Sequence, residues 1–272
     1  MSYYLSLGLN KEPFSTSPDP GFFYRSPAHD SALRRLQSNL RLRRGLSLIL
    51  GDIGTGKTTL SRALVQSFAG DKLVDVHLIL NPRFESEFQF LSHLCRLFGV
   101  SPLNRSLQDC LEVIQRYLFE KAAQDGRTVV LLVDEGQNLT PSLIENLRTL
   151  LNYETNEYKL LQLVLVAQLE ILPRLKRIRN FMDRVSLKYL MNPLELAETG
   201  ELIRFRLAAA GHRGAPLFTD QAVEAIQLAA QGYPRRVTML CHDCLRSLAA
   251  KGARTVDAEM VAGALKDAEA FT

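Results

Sequence analysis

The chain has 272 residues, 46% apolar and 23% charged, a globular balance that can bury a full core and a second small domain, so it is no disordered tail. Its formal charge of +4 is too small to argue by itself for nucleic acid, and no apolar run approaches the roughly 18 residues of a membrane span. The N-terminus lacks a basic stretch followed by an apolar core, and the four cysteines, Cys95, Cys110, Cys241 and Cys244, suit free thiols in a reducing compartment, so the expected location is cytoplasmic.

Residues 1–25 carry Tyr3, Tyr4, Leu5, Leu7, Leu9, Pro13-Phe14, Pro18, Pro20 and Phe22-Phe23-Tyr24. So much proline forbids one long helix and predicts an ordered arm, which either covers core or lines a nucleotide-base pocket. Ser26 then caps a helix with Pro27 at its first position and Leu33, Leu36 and Leu40 on its apolar face. Arg34, Arg35, Arg41, Arg43 and Arg44 are expected to face solvent.

The apolar run from Leu46 to Leu50 leads into Gly51-Asp52-Ile53-Gly54-Thr55-Gly56-Lys57-Thr58, followed by the helical Thr59-Leu60-Ser61-Arg62-Ala63-Leu64-Val65. A strand, a loop with glycines at these three positions and then a helix make a phosphate-binding loop. The glycines let successive N–H groups turn inward, and the helix adds its positive N-terminal dipole. Gly51, Gly54, Thr55, Gly56, Lys57, Thr58 and Thr59 are the candidate ATP-binding residues. Lys57 is expected to reach the β- and γ-phosphates, and the Thr58 hydroxyl to ligate Mg²⁺.

A second strand is expected over 72–80, ending at Asn81-Pro82, then a helix with Phe88, Leu91, Leu94, Cys95 and Phe98 at helical spacing, stopped by Gly99. Ser106 opens another helix with Leu107, Cys110, Leu111, Ile114 and Leu118 on one face. Val129 to Val133 is a continuous apolar run of the kind a central parallel strand needs, and it ends in Asp134-Glu135. This pattern is a Walker B strand: Asp134 would hold the Mg²⁺ shell, and Glu135 would orient and deprotonate the attacking water.

Thr140-Pro141 caps the helix that follows, and residues 160–168 form another buried strand ending in Gln168. That amide either senses the γ-phosphate beside Glu135 or satisfies local backbone. Arg174, Lys176, Arg177, Arg179, Arg184 and Lys188 crowd ahead of a last strand at Tyr189-Leu190. From Asn192-Pro193 only helices follow, about 196–210, 220–231, 234–251 and 257–270. Alternating strands and helices followed by helices alone predict an α/β nucleotide-binding domain over 1–192 and a small all-helical lid over 193–272. Cys241-His242-Asp243-Cys244 has metal-like spacing, but it lies in one of these helices without a second ligand pair, so core thiols are expected.

Taken in order, GDIGTGKT, VVLLVDEGQ, LLQLVLVAQ, Asp183-Arg184-Val185 and GYPRRV at 232–237 resemble an AAA+ ATPase, with the P-loop parallel sheet sandwiched by helices. Leu7-Gly8-Leu9, Glu12-Pro13-Phe14, Pro18-Asp19-Pro20, Asn81-Pro82 and Gly232-Tyr233-Pro234-Arg235-Arg236 resemble more narrowly the ExeA family, the ATPase of the general secretion pathway. That resemblance implies a ring-like homo-oligomer that hydrolyses ATP with Mg²⁺ to assemble a secretion or envelope apparatus. It also implies Gln168 as sensor 1, Arg235 as sensor 2 and Arg184 as the leading arginine finger, with Arg179 and Arg177 behind it. Family members often continue into a membrane span and a peptidoglycan-binding domain. Neither is present in these residues, so the expectation is a stand-alone homologue or an ATPase portion. The family's usual Glu-Ala-Gln is Glu135-Gly136-Gln137 here, and its usual Gly-Gln-Pro is Ala167-Gln168-Leu169.

Two further functions share this core. One is a DNA-binding transposition regulator of the phage Mu B or TnsC kind, which polymerises on DNA; its footprint would be the basic stretch 174–188 and the arginines at 34–44. The other is a STAND-type switch that retains ADP.

Overall fold

The computed structural model describes residues 2–15, 20–22 and 24–269; Pro18, Asp19 and Phe23 of the arm lie outside the described residues. The chain divides into two compact units, one built from residues 30–52 and 60–191, the other from residues 1–29, 53–59 and 192–272.

The first unit is a five-stranded parallel sheet of β1 (Leu46–Gly51), β2 (Val74–Ile79), β3 (Thr128–Val133), β4 (Leu161–Ala167) and β5 (Val185–Met191), in the order β2-β3-β4-β1-β5. Position in the sheet explains the strand sequences. The inner strands β1, β3 and β4 are buried on both faces and are apolar almost throughout, whereas the edge strands β2 and β5 carry polar positions such as the half-exposed Asp75 and the exposed Lys188.

Parallel strands need long crossovers, and helices supply them. Along the chain they are α3 (Lys57–Ser67), α4 (Glu87–Phe98), α5 (Leu107–Phe119), α6 (Pro141–Leu150) and the short α7 (Leu172–Arg177), while α2 (Pro27–Arg41) leads into β1. Alternate strand residues feed two cores. Leu48, Leu131, Val133, Leu163 and Leu165 pack with Phe90, Leu94, Ile114 and Leu147 of α4, α5 and α6. Ile49, Val130, Leu132, Val164 and Val166 pack on the other face with Leu36, Leu40, Leu60 and Leu64 of α2 and α3. Side-chain caps set the helix starts where expected: Ser106 Oγ accepts from the Asp109 N–H at 3.0 Å, and Thr140 Oγ1 from the Leu143 N–H at 3.4 Å.

Gln162, on the buried strand β4, accepts from the Gly45 N–H at 2.8 Å and donates to the Lys159 carbonyl at 2.8 Å. Arg43, expected in solvent, instead turns inward. Its backbone is left-handed (φ 51), its guanidinium lies 4.4 Å over the Tyr158 ring, and it donates to the Ala122 and Gly126 carbonyls and to Thr128 Oγ1. The physical reason is the end of α5, which runs on as a π-turn over Glu120–Gln124; its last carbonyls have no helical partners, and a guanidinium fork supplies them. Arg41 is also engaged, with Asp71 at 3.0 Å.

In the second unit α8 (Leu196–Ala209), α9 (Asp220–Ala230), α10 (Pro234–Lys251) and α11 (Ala258–Glu269) bury Leu202, Ile203, Ile226, Val237, Leu245 and Val261. The arm joins this core through Leu9, Phe14 and Phe22, after a single-turn helix α1 (Tyr3–Ser6). Phe14 meets Phe218 edge-on at 6.0 Å, and Arg206 donates to the Pro13 and Ser15 carbonyls at 3.3 Å. Of the two roles open to the arm, its apolar side chains perform core cover. Cys241 and Cys244 are wholly buried, and burial pushes the Cys244 thiol up to about 12 and Cys241 well above its ordinary value, so both stay protonated. Asn192 opens the last segment of this unit. Among the described residues no helix is long and apolar enough to cross a membrane.

Candidate functional site

Within the sheet unit, β1, β3 and β4 end together. Leu50 is level with Ala167, and Val133 with Leu165, so Gly51, Asp134, Glu135 and Gln168 all emerge at the carboxyl edge of the sheet. In open parallel sheets this is the edge where ligands bind. Asp134 is 1% exposed; its N–H donates to the Ile79 carbonyl at 2.8 Å, and its Oδ1 accepts from the Glu135 N–H at 2.9 Å. Glu135 is left-handed (φ 53, ψ 38), a conformation that costs a residue with a Cβ about 1–2 kcal/mol and breaks the strand abruptly.

The turn that follows, Gly136–Asn138, lies flush on β4. A Cβ at Gly136 would come within 2.5 Å of Leu165 Cδ1 and 3.2 Å of the Val166 carbonyl, which is why glycine stands there. Gln137 Nε2 donates to Glu135 Oε2 in a short contact, while Gln137 Oε1 accepts the Gln168 N–H at 3.1 Å. Arg174 of α7 donates to the Gln137 carbonyl at 2.8 Å and to the Leu139 carbonyl, so this arginine is spent inside the unit. The Gln168 side chain makes no hydrogen bond among the described residues; it is the backbone N–H of Gln168 that is satisfied locally.

The amino-acid sequence gives Gln137 no role of its own and places Arg174 only in a basic stretch. The available signal was the amide two residues beyond a glutamate that ends a strand, and only the fold shows that this amide reaches β4.

Arg184 ends the 3₁₀ turn Met182–Arg184 and is half-buried; its Nε is buried with no hydrogen-bond partner among the described residues. No ion pair joins it to Asp183 among those residues, but its charge lowers the carboxyls of Glu145 and Glu154, after the larger effects of Arg148 on the first and Lys159 on the second. Lys176, Arg177, Arg179 and Lys188 are exposed.

The loop expected to bind phosphate belongs to the other unit from Ile53 onward. Gly54 (φ 85) and Gly56 (φ 95) are left-handed and turn the chain so that α3 begins at Lys57, whose side chain is only 7% exposed. Thr55 is buried, and Thr58 and Thr59 are half-buried in the first turn of α3, where helical N–H groups have no partners in the helix itself. In the same unit the N-terminus of α10 abuts the loop: the Arg235 N–H donates to the Gly54 carbonyl at 3.4 Å, and Arg235 Cβ lies 3.3 Å from the position of a Cβ on Gly54. The Arg235 side chain is exposed, whereas Arg236 stacks its guanidinium 5.0 Å over Tyr233.

Comparison with known proteins agrees with this geometry. A family profile described as an AAA domain matches residues 40–175. The General secretion pathway protein A of Aeromonas hydrophila is 35% identical over 254 residues, which cover 92% of this chain and 45% of that protein, so the chain spans less than half its relative's length. Among solved structures, the Drosophila ORC bound to DNA superposes with a TM-score of 0.70 at 21% identity, over 97% of this chain and 65% of its own. The Aeropyrum pernix ORC2 protein gives 0.65 at 16% identity, over 94% of this chain and 71% of its own. The Thermotoga maritima RuvB Holliday junction branch migration motor gives 0.60 at 15% identity, over 90% and 72%. At these identities the structures speak for the fold, which is that of the P-loop AAA+ ATPases.

Proposed function

Because the chain belongs to the AAA domain family, we propose that it is an oligomerising ATPase which hydrolyses ATP to ADP and phosphate and uses the cycle to assemble or remodel a secretion or envelope complex. The observation that carries the reading is the loop at 54–57: two left-handed glycines deliver a lysine, withdrawn from solvent, to the first position of a helix.

In this reading Lys57 and the N–H groups of 54–59 hold the β- and γ-phosphates. The Thr58 hydroxyl and the Asp134 carboxylate are the hard oxygen donors that fit Mg²⁺. Mg²⁺ is held by one or two protein oxygens and the substrate phosphates and keeps several waters, which this donor pair suits. When bound, that ion offsets charge on the phosphate oxygens. Glu135 orients the water and takes its proton, Gln168 senses the γ-phosphate, Arg235 reports nucleotide state through α10, and Arg184 completes the site of a neighbouring subunit.

The test is direct. Lys57→Ala removes the loop's mobile positive charge, so fluorescent-nucleotide affinity and phosphate release should both be lost. A variant that binds within about threefold of wild type removes the phosphate-loop assignment.

One surface favours a second reading, the DNA-binding transposition regulator: Lys176, Arg177, Arg179 and Lys188 are all exposed. Of the other expected footprint, Arg43 is turned inward, while Arg34, Arg35, Arg41 and Arg44 are exposed. Filter binding against salt separates the two, since phosphate contacts weaken steeply as salt rises.

A further inference from the structure

We propose that Gln137 is a positioning residue that couples the tip of β4 to the hydrolytic glutamate. The inference rests on the reading of Glu135 as base and Gln168 as γ-phosphate sensor. One amide spans both: its NH₂ group donates to the Glu135 carboxylate, and its oxygen accepts the Gln168 N–H at 3.1 Å. Among the described residues no other side chain is hydrogen-bonded to that carboxylate.

The neighbours leave Gln137 little room. Arg174 holds its carbonyl at 2.8 Å, Gly136 packs against Leu165 and Val166, and the adjacent Asn138 is spent on Asn81 at 3.0 Å. With its backbone anchored, the amide can answer movement at only two places, the Glu135 carboxylate and the Gln168 N–H. The Gln168 side chain, which makes no hydrogen bond among the described residues, is at liberty to take a ligand. If its engagement shifts the strand tip, Gln137 must follow or lose its bond, and Glu135 is reoriented in step. Sensing and base placement are then one motion, carried by a physical contact rather than by proximity alone.

Steady-state ATP turnover and fluorescent-nucleotide affinity of the full chain test this in single and paired variants. Gln137→Leu keeps the bulk and removes both hydrogen bonds; kcat should fall about tenfold or more while nucleotide affinity stays within about twofold, the mark of an interaction made at the transition state. Gln168→Ala should slow wild type but add nothing in the Gln137→Leu background, because the two act through one path. Gln137→Glu keeps the acceptor for the Gln168 N–H and sets an anion against Glu135. Its turnover relative to wild type should rise as pH falls from about 7.5 to 5.5, when protonation restores a donor, a response that mere packing does not produce.

The proposal is overturned if Gln137→Leu turns over within about twofold of wild type while Glu135→Gln is inactive, or if the Gln137 and Gln168 effects multiply independently. Wild-type turnover in Glu135→Gln would instead remove the base itself, a separate failure that the same plate reads. Should Gln137→Leu fail to fold, the isosteric Gln137→Glu and its pH profile carry the test alone.

Discussion

Replacing Gly232 with alanine tests how the helical unit presents Arg235 to the phosphate loop. Gly232 is left-handed (φ 70), and a Cβ there would sit 2.0 Å from the Leu194 carbonyl oxygen, far inside contact distance. That carbonyl accepts from Gln227 Nε2 at 3.0 Å, and the Leu194 N–H donates to the Gly232 carbonyl at 2.8 Å. Relieving the clash breaks or strains both bonds, at about 1 kcal/mol each, and the left-handed backbone costs about 1–2 kcal/mol more. The total is about 3–4 kcal/mol, roughly 6–16 °C in melting temperature for a chain of this size. Gly252, which ends α10 with φ 61 and has open space within 4 Å of where a methyl group would stand, isolates the backbone cost: Gly252→Ala should lose only about 1–2 kcal/mol. Urea unfolding of the two variants gives the difference, and turnover gives its consequence, since Gly232→Ala alone displaces the start of α10. Equal destabilisation of the two, within about 0.5 kcal/mol, would refute the reasoning that the Leu194 carbonyl dictates glycine at 232.

Three further outcomes are expected. Glu135→Gln should bind nucleotide normally yet lose hydrolysis by about two or more orders of magnitude and accumulate as an ATP-bound oligomer; sedimentation showing the same monomer with and without ATP would count against an oligomeric mechanism. Arg184→Ala should bind ATP but scarcely hydrolyse it, since a finger is worth about 10³ to 10⁵ in rate; mixed with Lys57→Ala it should recover turnover where the two subunits meet, and co-assembly without recovery would rule out action in trans. His77 packs against Phe98 at 4.8 Å and within 3.2 Å of the Tyr117 hydroxyl, and burial lowers its pKa below the ordinary histidine value. The fold therefore favours neutral His77. Its contribution is present above about pH 6.5 and is lost as pH falls through the ordinary range toward the lowered value, so the urea midpoint of wild type should drop more from pH 7.5 to 5.5 than that of His77→Phe.

Much of the candidate site's backbone was legible because its signals are local. Gly54 and Gly56 mark left-handed backbone that side chains resist, a lysine follows at the helix start, and an apolar run ending in two acids belongs to a buried strand. Helix limits are legible for the same reason: Ser106 and Thr140 cap where hydroxyl and N–H lie three residues apart, and Gly99 and Gly252 stop helices with φ 71 and 61. Arg43 departs from expectation because a guanidinium on a long stem can serve solvent or an orphan carbonyl equally well, and its partners Ala122 and Gly126 are distant in sequence.

What the amino-acid sequence determined alone, then, is everything set by neighbours within a few residues: the phosphate loop, the strand tip of Asp134 and Glu135, the alternation of strands and helices and the change to helices alone after Asn192. Tertiary structure decided the rest. An apolar arm with Leu9, Phe14 and Phe22 suits any apolar surface, and only the packed helices show that it belongs with Phe218 and Ile203. The contacts of Gln137 and Arg174 are not written in the Glu-Gly-Gln triplet or the basic stretch that hold them; they become partners of Glu135, Gln168 and the Leu139 carbonyl because β3 and β4 lie side by side in register. The physical reason is range: backbone preference and periodicity act along the chain, whereas a hydrogen bond between side chain and strand tip exists only once the sheet has placed its ends together.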